Sequence, residues 1–365
     1  MRIDNKNLSG LFKVSWCYDR AINMYHAGFR VALIEEERIL FVAENISTLI
    51  NDEAIAFFSD LSEEDVIDIA PDGLVRKRFE RKAGDNTFYI TDRCNSNCIM
   101  CPVPENIRKN GLKVITERLS ELAFYIPSDL KHVTITGGEP FLAKNSMFES
   151  LEILKNKCSN TDFLLLSNGR AFAISGYAER LAEVAPAKFC IGIPVHGPDA
   201  RIHDEISQAE GSFRQTITGM RRLIDNGIDV EIRIVVNKIN APFISDIAKL
   251  IADQFPETVG VRIMAMEMLG NAAKNIEKVW LPYEKFFDSV EDAISILVNN
   301  SIDVAIYNMP LCLIKSNYWY ICKQSISDYK IRYFDKCSNC KVKDVCGGVF
   351  AGTYRFLEDS IVPVC

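Results

Sequence analysis

The chain has 365 residues, 48% of them hydrophobic and 25% charged, and a formal net charge of −7. That composition excludes a disordered or fibrous chain and is enough for two or three hydrophobic cores, while the acidic balance argues against nucleic acid as the main partner. No apolar run approaches the roughly 18 residues of a membrane span, and Met1-Arg-Ile-Asp-Asn-Lys leads into no secretory signal; a cytoplasmic location, with no membrane partner, is expected.

Residues 1–86 read as a small β-rich domain. Strands are predicted at 29–34 and 38–43 around the acidic Glu35-Glu-Glu turn, and at 65–70 and 74–79 around Pro71-Asp-Gly. A helix is predicted over 51–61. Arg76, Lys77, Arg78, Arg81 and Lys82 form a local basic cluster, which reads as a solvated strand and linker.

From residue 87 to 300 short apolar strands alternate with amphipathic helices. The strands are predicted at 87–91, 132–136, 163–167, 189–195, 230–236 and 261–266, with helices at 115–125, 146–155, 174–184, 213–226, 244–255 and 283–298. Such alternation implies an α/β fold with a parallel sheet and right-handed crossovers. An open doubly wound sheet and a partial barrel both satisfy it, and in either case ligands bind beyond the C-terminal ends of the strands. Asp92-Arg-Cys, Gly137-Gly-Glu-Pro, Asn168-Gly and His196-Gly follow those ends. Residues 301–365 break the pattern, with one strand candidate at 303–308 and a cysteine-rich remainder.

The twelve cysteines are clustered, with three within Cys94–Cys101 and five within Cys312–Cys346. In a reduced compartment such clusters mean metal more often than disulfides. Cys94-Asn-Ser-Asn-Cys98-Ile-Met-Cys101 follows the first strand of the repeats. Three thiolates can wrap one face of an iron–sulfur cube and leave the fourth iron open; three ligands of a zinc site with a distant fourth are the alternative. Thr136-Gly137-Gly138-Glu139-Pro140 ends the second strand, where two glycines allow close backbone approach and Glu139 offers a carboxylate to an ammonium group.

These two motifs together resemble the radical SAM superfamily, and the resemblance implies a partial (βα)6 barrel. It also implies a [4Fe–4S] cluster on Cys94, Cys98 and Cys101, with S-adenosylmethionine (SAM) on the open iron and its amino group held by Gly137-Gly138-Glu139-Pro140. One electron, from a donor such as flavodoxin or ferredoxin, then cleaves SAM to a 5′-deoxyadenosyl radical. Relatives carry an aromatic residue before the third cysteine; here it is Met100, which can still pack on a ring edge. Ser167 and Asn168 stand where relatives contact ribose, and Met264–Met266 where they meet adenine. Arg233 could pair with the SAM carboxylate or be a plain strand arginine. His196, His203 and Asp204 are candidate acid–base residues or loop-holding ones.

Cys337-Ser-Asn-Cys340-x5-Cys346-Gly-Gly, preceded by Cys312 and Cys322, resembles the SPASM or twitch auxiliary-cluster modules of peptide maturases. The full SPASM pattern needs a cysteine where Phe350 stands. One auxiliary [4Fe–4S] cluster on Cys312, Cys337, Cys340 and Cys346 uses the residues best; Cys322 or Cys365 could replace a ligand or be simple buried thiols. The run from Thr91 to Pro102, Pro310-Leu-Cys and Gln324-Ser-Ile-Ser-Asp-Tyr-Lys330 resemble the smaller radical SAM maturase of the His-Xaa-Ser system. That resemblance implies a precursor peptide as substrate, with a second radical SAM protein and a small helper protein as partners. The competing readings are an enzyme acting on RNA or a small metabolite, and a non-catalytic cluster protein or redox sensor.

Overall fold

The structure is a computed structural model that describes residues 1–3, 8–49, 51–110, 116–325 and 330–364. The N-terminal part holds β1 (Gly10–Ser15), α1 (Tyr18–His26), β2 (Val31–Ile34), β3 (Arg38–Phe41), β4 (Ile46–Leu49), α2 (Asp52–Ser59), β5 (Val66–Ile69) and β6 (Val75–Phe79). They form one sheet in the order β4-β3-β2-β1-β5-β6. β2–β3 and β5–β6 are the two antiparallel pairs that the turn residues predict. β1, α1 and β4 carry no such turn signal and were not predicted; β1 runs parallel to β2, with α1 as the crossover.

The second sheet is entirely parallel. In chain order come β7 (Asn86–Tyr89), α3 (Glu105–Asn110), α4 (Thr116–Tyr125), β8 (His132–Thr136), α5 (Asn145–Lys157), β9 (Asp162–Leu166), α6 (Tyr177–Val184) and β10 (Phe189–Pro194). α7 (Ala200–Ser207), α8 (Ser212–Asp225), β11 (Asp229–Val235), α9 (Ile244–Gln254), β12 (Gly260–Met264), α10 (Gly270–Lys274), α11 (Ile276–Val279), α12 (Phe286–Asn299), β13 (Val304–Tyr307) and β14 (Cys322–Lys323) follow. The strands lie side by side in sequence order from β7 to β14. Consecutive parallel strands with right-handed crossovers put every helix on one face, so the sheet curls as a partial barrel and is not doubly wound. The segment after β10, read as a loop, instead starts α7, capped by the Asp199 carboxylate on the Ile202 amide. Beyond β14 the chain makes short turns and the small ladder β15 (Ile331–Arg332) to β16 (Val349–Phe350). No helix among the described residues is long and apolar enough to cross a membrane.

A single large core fills the layer between the sheet and its helices, where alternate strand residues such as Ile191, Ile193, Ile232 and Ile234 pack with Leu151, Leu181, Leu223 and Ile251. Leu11, Val66 and Phe79 of the N-terminal sheet belong to this same core, and the Arg30 amide donates to the Tyr125 hydroxyl across the junction at 2.8 Å. A chain beginning at Ala83 is therefore expected to expose the apolar surface around Tyr125 and Ile126 and to aggregate. A monodisperse, stable truncated chain in size-exclusion chromatography would refute that.

Candidate functional site

At the C-terminal ends of β7 to β12 lies a chamber of about 280 Å³. Cys94, Cys98 and Cys101 open onto it from the loop after β7, Gly137 and Gly138 from the end of β8, and Ser167 and Asn168 from the end of β9. His196 and His203, then Arg233 on β11 and Met264 on β12, complete the wall with Met100. Residues predicted from motifs far apart in sequence thus meet in one space. Asp204, Glu139 and Pro140 are outside its lining.

The cysteine loop is held by groups that carry no sequence signature. Arg108, 5% exposed, donates to the Ser96 carbonyl at 2.9 Å and to Asn97 Oδ1 at 2.6 Å. Arg170 donates to the Asn95 carbonyl and Ser96 Oγ. Asn271 and Asn275 donate to the carbonyls of Cys98 and Ile99, both at 3.0 Å. Only folding brings these side chains to the loop, across up to 176 residues of chain.

Each thiol is free. Burial pushes the Cys98 thiol up to about 12, with the neighbouring Cys94 and Cys101 adding to the shift; Cys94 is raised by burial too. Charged thiolates here require a strong positive partner, which a bound metal cluster supplies. Among the described residues no group of three or more His, Cys, Asp or Glu side chains is arranged to hold a metal ion; the three sulfurs border the chamber. The donor set fits an iron–sulfur cluster with an adjoining ligand space.

The Glu139 carboxylate is 1% exposed and accepts from the Phe141 amide at 3.1 Å, Ser167 Oγ at 2.9 Å and the Asn168 amide at 2.8 Å. It ties the end of β8 to the end of β9. The Ser167 hydroxyl is committed to that bond, and Asn168 Nδ2 to Asn95 Oδ1 at 2.6 Å. Arg233 Nε donates to Glu231 at 2.8 Å, and the other oxygen of Glu231 accepts from Arg262 at 2.9 Å. Among the described residues the terminal nitrogens of Arg233 make no hydrogen bond, and the residue borders the chamber. Gly192 leaves the space it needs: a Cβ there would lie 2.9 Å from Arg233 Nε.

His203 and Asp204, adjacent in sequence, part in the fold. The Asp204 carboxylate takes the amides of Gly211 and Phe213 and the Ser212 hydroxyl, all at 2.7 Å, and so caps α8. His203 Nδ1 accepts the His196 amide at 3.2 Å, and the two rings lie 5.1 Å apart. His196 Nδ1 is buried without a partner. Burial brings His203 down to about 4 and holds His196 well below its ordinary value, so both are neutral at pH 7. The unfolded chain protonates His203 first, near its ordinary 6.5. The stability from neutral His203 is therefore full above about pH 6.5 and is lost as pH falls toward 4, by about 1.4 kcal/mol per unit at most. His203→Gln is expected to flatten the acid side of a melting-temperature profile between pH 7 and 4.5; an unchanged slope would exclude His203 as its source.

A second cavity, narrow and distant in sequence, is lined by Cys312, Cys337, Cys340 and Cys346. The amides of Leu311 and Gly348 donate to Cys346 Sγ, and that of Val364 to Cys340 Sγ, all at 3.4 Å. Cys322 is not in that lining; it sits in β14, its thiol 3.6 Å from the Tyr318 carbonyl. Cys365 lies outside the described residues, as does most of the Gln324–Lys330 segment.

A parallel, sequentially ordered partial barrel with three cysteines and a double-glycine turn at its C-terminal mouth is the arrangement that the resemblance to the radical SAM superfamily implies. Residues 88–249 match the family model of the Radical SAM superfamily. It is 27% identical over 168 residues to the antilisterial bacteriocin subtilosin biosynthesis protein AlbA of Bacillus subtilis, a match covering 46% of this chain and 36% of AlbA. It is 26% identical over 173 residues to the AdoMet-dependent heme synthase of Oleidesulfovibrio alaskensis, covering 45% of this chain and 41% of that protein. The matches thus span about two-fifths of these relatives' length. The structure of Streptococcus suis SuiB bound to S-adenosylmethionine superposes with a TM-score of 0.48 and 12% identity, over 62% of this chain and 51% of that one.

Proposed function

We propose that the protein is a radical SAM peptide maturase that crosslinks or otherwise oxidises a ribosomally made precursor peptide carrying His-Xaa-Ser repeats. The observation that supports this best is the presence of two cysteine-lined cavities in one chain, the first at the mouth of a radical SAM barrel. The similarity to AlbA, by its name a bacteriocin biosynthesis protein, supports a peptide over RNA.

Cys94, Cys98 and Cys101 would hold the first [4Fe–4S] cluster, and Cys312, Cys337, Cys340 and Cys346 an auxiliary one. When bound, cluster and SAM supply one-electron chemistry that removes a hydrogen atom from the substrate. Gly137 and Gly138 would bring backbone to the SAM amino-acid end, Glu139 holds that turn in place, and Arg233 would offer its terminal nitrogens to the SAM carboxylate. Met100 and Met264 would give the adenine an apolar wall, and Ser167 and Asn168 would be the polar residues for the ribose. His196 and His203, neutral and facing the chamber, are the proton acceptors nearest the substrate space. A flavodoxin or ferredoxin would deliver the electron in the cytoplasm, and a second radical SAM protein and a small helper would take part in presenting the peptide.

Co-expression with a peptide carrying His-Xaa-Ser repeats tests this. The expected result is a peptide lighter by hydrogen atoms in mass spectrometry, with the change mapped to the repeats and absent in a Cys98→Ala strain. SAM cleavage with an unaltered peptide would reject the substrate assignment.

A further inference from the structure

The five basic residues at 76–82 do not act as one patch. Lys77 pairs with Asp60 and Glu80, at 3.8 and 3.1 Å, and Arg81 bonds Asp129 and the Glu63 carbonyl. Arg76 and Arg78 share the other face of β6, and neither forms an ion pair among the described residues. Both line a cavity of about 260 Å³ between β6, α4 and the end of β7, together with Asp68, Tyr89, Asp92, Arg118, Leu119 and Leu122.

Arg78 Nε is buried there with no hydrogen-bond partner, a condition that costs free energy until something supplies an acceptor. The cavity's own carboxylates are committed: Asp68 to Arg118 at 3.0 Å, and Asp92 to the Tyr89 hydroxyl at 2.6 Å. Arg118 is paired with both Asp68 and Glu121, at 3.0 and 3.5 Å, which leaves Arg76 and Arg78 facing Asp92 with one positive charge over, and that matches a single negative charge better than the two of a phosphate. Leu119 and Leu122, both buried, give the cavity an apolar wall, which suits an organic anion. We propose that this cavity binds a carboxylate side chain, aspartate or glutamate, of the peptide that the enzyme modifies, seated between Arg76 and Arg78.

The position is suited to substrate anchoring. Thr91 and Asp92 form one wall, and the same stretch is bonded on its other side to the glycine turn of the chamber, Gly138 N to Thr91 O at 2.6 Å and Glu139 N to Arg93 O at 2.8 Å. β6 and β7 are both end strands of their sheets, so the approach to the cavity is flanked by backbone with one unpaired edge.

The proposal rests on the peptide reading above, and titration separates the two. Blocked glutamate (N-acetylglutamate α-methylamide) and, separately, inorganic phosphate are titrated calorimetrically into the reconstituted full-length protein. Blocked glutamate is expected to bind, and to bind more tightly than phosphate. Arg78→Gln should weaken it tenfold or more, the effect of losing one charged hydrogen bond, and Arg76→Gln, on the exposed rim, severalfold, with SAM cleavage unchanged in both. No binding, tighter binding of phosphate, or equal affinity in both variants would overturn the site. A failed titration beside a modified precursor removes only this cavity's role; a successful one beside an unmodified precursor removes the peptide as the source of the carboxylate.

Discussion

Replacing Cys94, Cys98 and Cys101 together by alanine is expected to abolish SAM cleavage and to lower the iron of the reconstituted protein from about eight atoms per chain to about four. The three thiols share one chamber, and their loop is fastened by Arg108, Arg170, Asn271 and Asn275 through backbone carbonyls and other side chains, not through sulfur. The loop should therefore keep its path when the sulfurs are gone, and the loss should be of ligands, not of fold. Cys337 and Cys340 lie on a separate cavity, so the remaining iron should stay. Iron and sulfide assay with SAM-cleavage chromatography reads both effects. A wild-type protein with four irons, all lost in the triple variant, would remove the auxiliary cluster; full iron in the triple variant would remove the first.

Gly138→Ala should be nearly as damaging, without touching a ligand. A Cβ at Gly138 would lie 2.2 Å from the Arg93 carbonyl oxygen, 2.5 Å from its carbon and 2.8 Å from the Asp92 oxygen. All three are backbone atoms and cannot rotate away. The segment that must move leads directly into Cys94. Overpacking of this kind costs about 1–3 kcal/mol, occasionally more, so a lower melting temperature and loss of the first cluster with the second retained are expected. Gly84→Ala is the control: a Cβ there meets nothing within 4 Å, and its melting temperature should stay near wild type. Normal iron content in Gly138→Ala would show that the turn is not packed against the cysteine loop as described.

Much of the fold was legible because its signals are local. Apolar runs of strand length alternating with helical periodicity dictate a parallel α/β sheet. Cys94, Cys98 and Cys101 sit within one loop, so their spacing alone brings three thiols together as candidate ligands, and Gly137-Gly138 at the end of the next predicted strand places a close backbone approach beside them. Pro71-Asp-Gly and the acidic Glu35 turn marked two hairpins for the same reason, since turn chemistry acts over neighbouring residues.

What remained open depended on groups that meet only after folding. Strand order decided between a doubly wound sheet and a partial barrel, and order is a matter of pairing between strands tens of residues apart. Asp204 capping α8 while His203 faces the chamber follows from where α7 ends; two residues of one helix point in different directions, and no spacing rule assigns either to a ligand. The arginines and asparagines around the cysteine loop are unremarkable in sequence and acquire their role from the carbonyls they reach. The basic stretch at 76–82 is the clearest case: its five basic residues look alike in sequence, yet Lys77 and Arg81 find carboxylates while Arg76 and Arg78 line a cavity. Local backbone preference is written in each segment, whereas the partner of a charged side chain is set by tertiary packing, because a buried charge must be matched by whatever the rest of the chain brings to it.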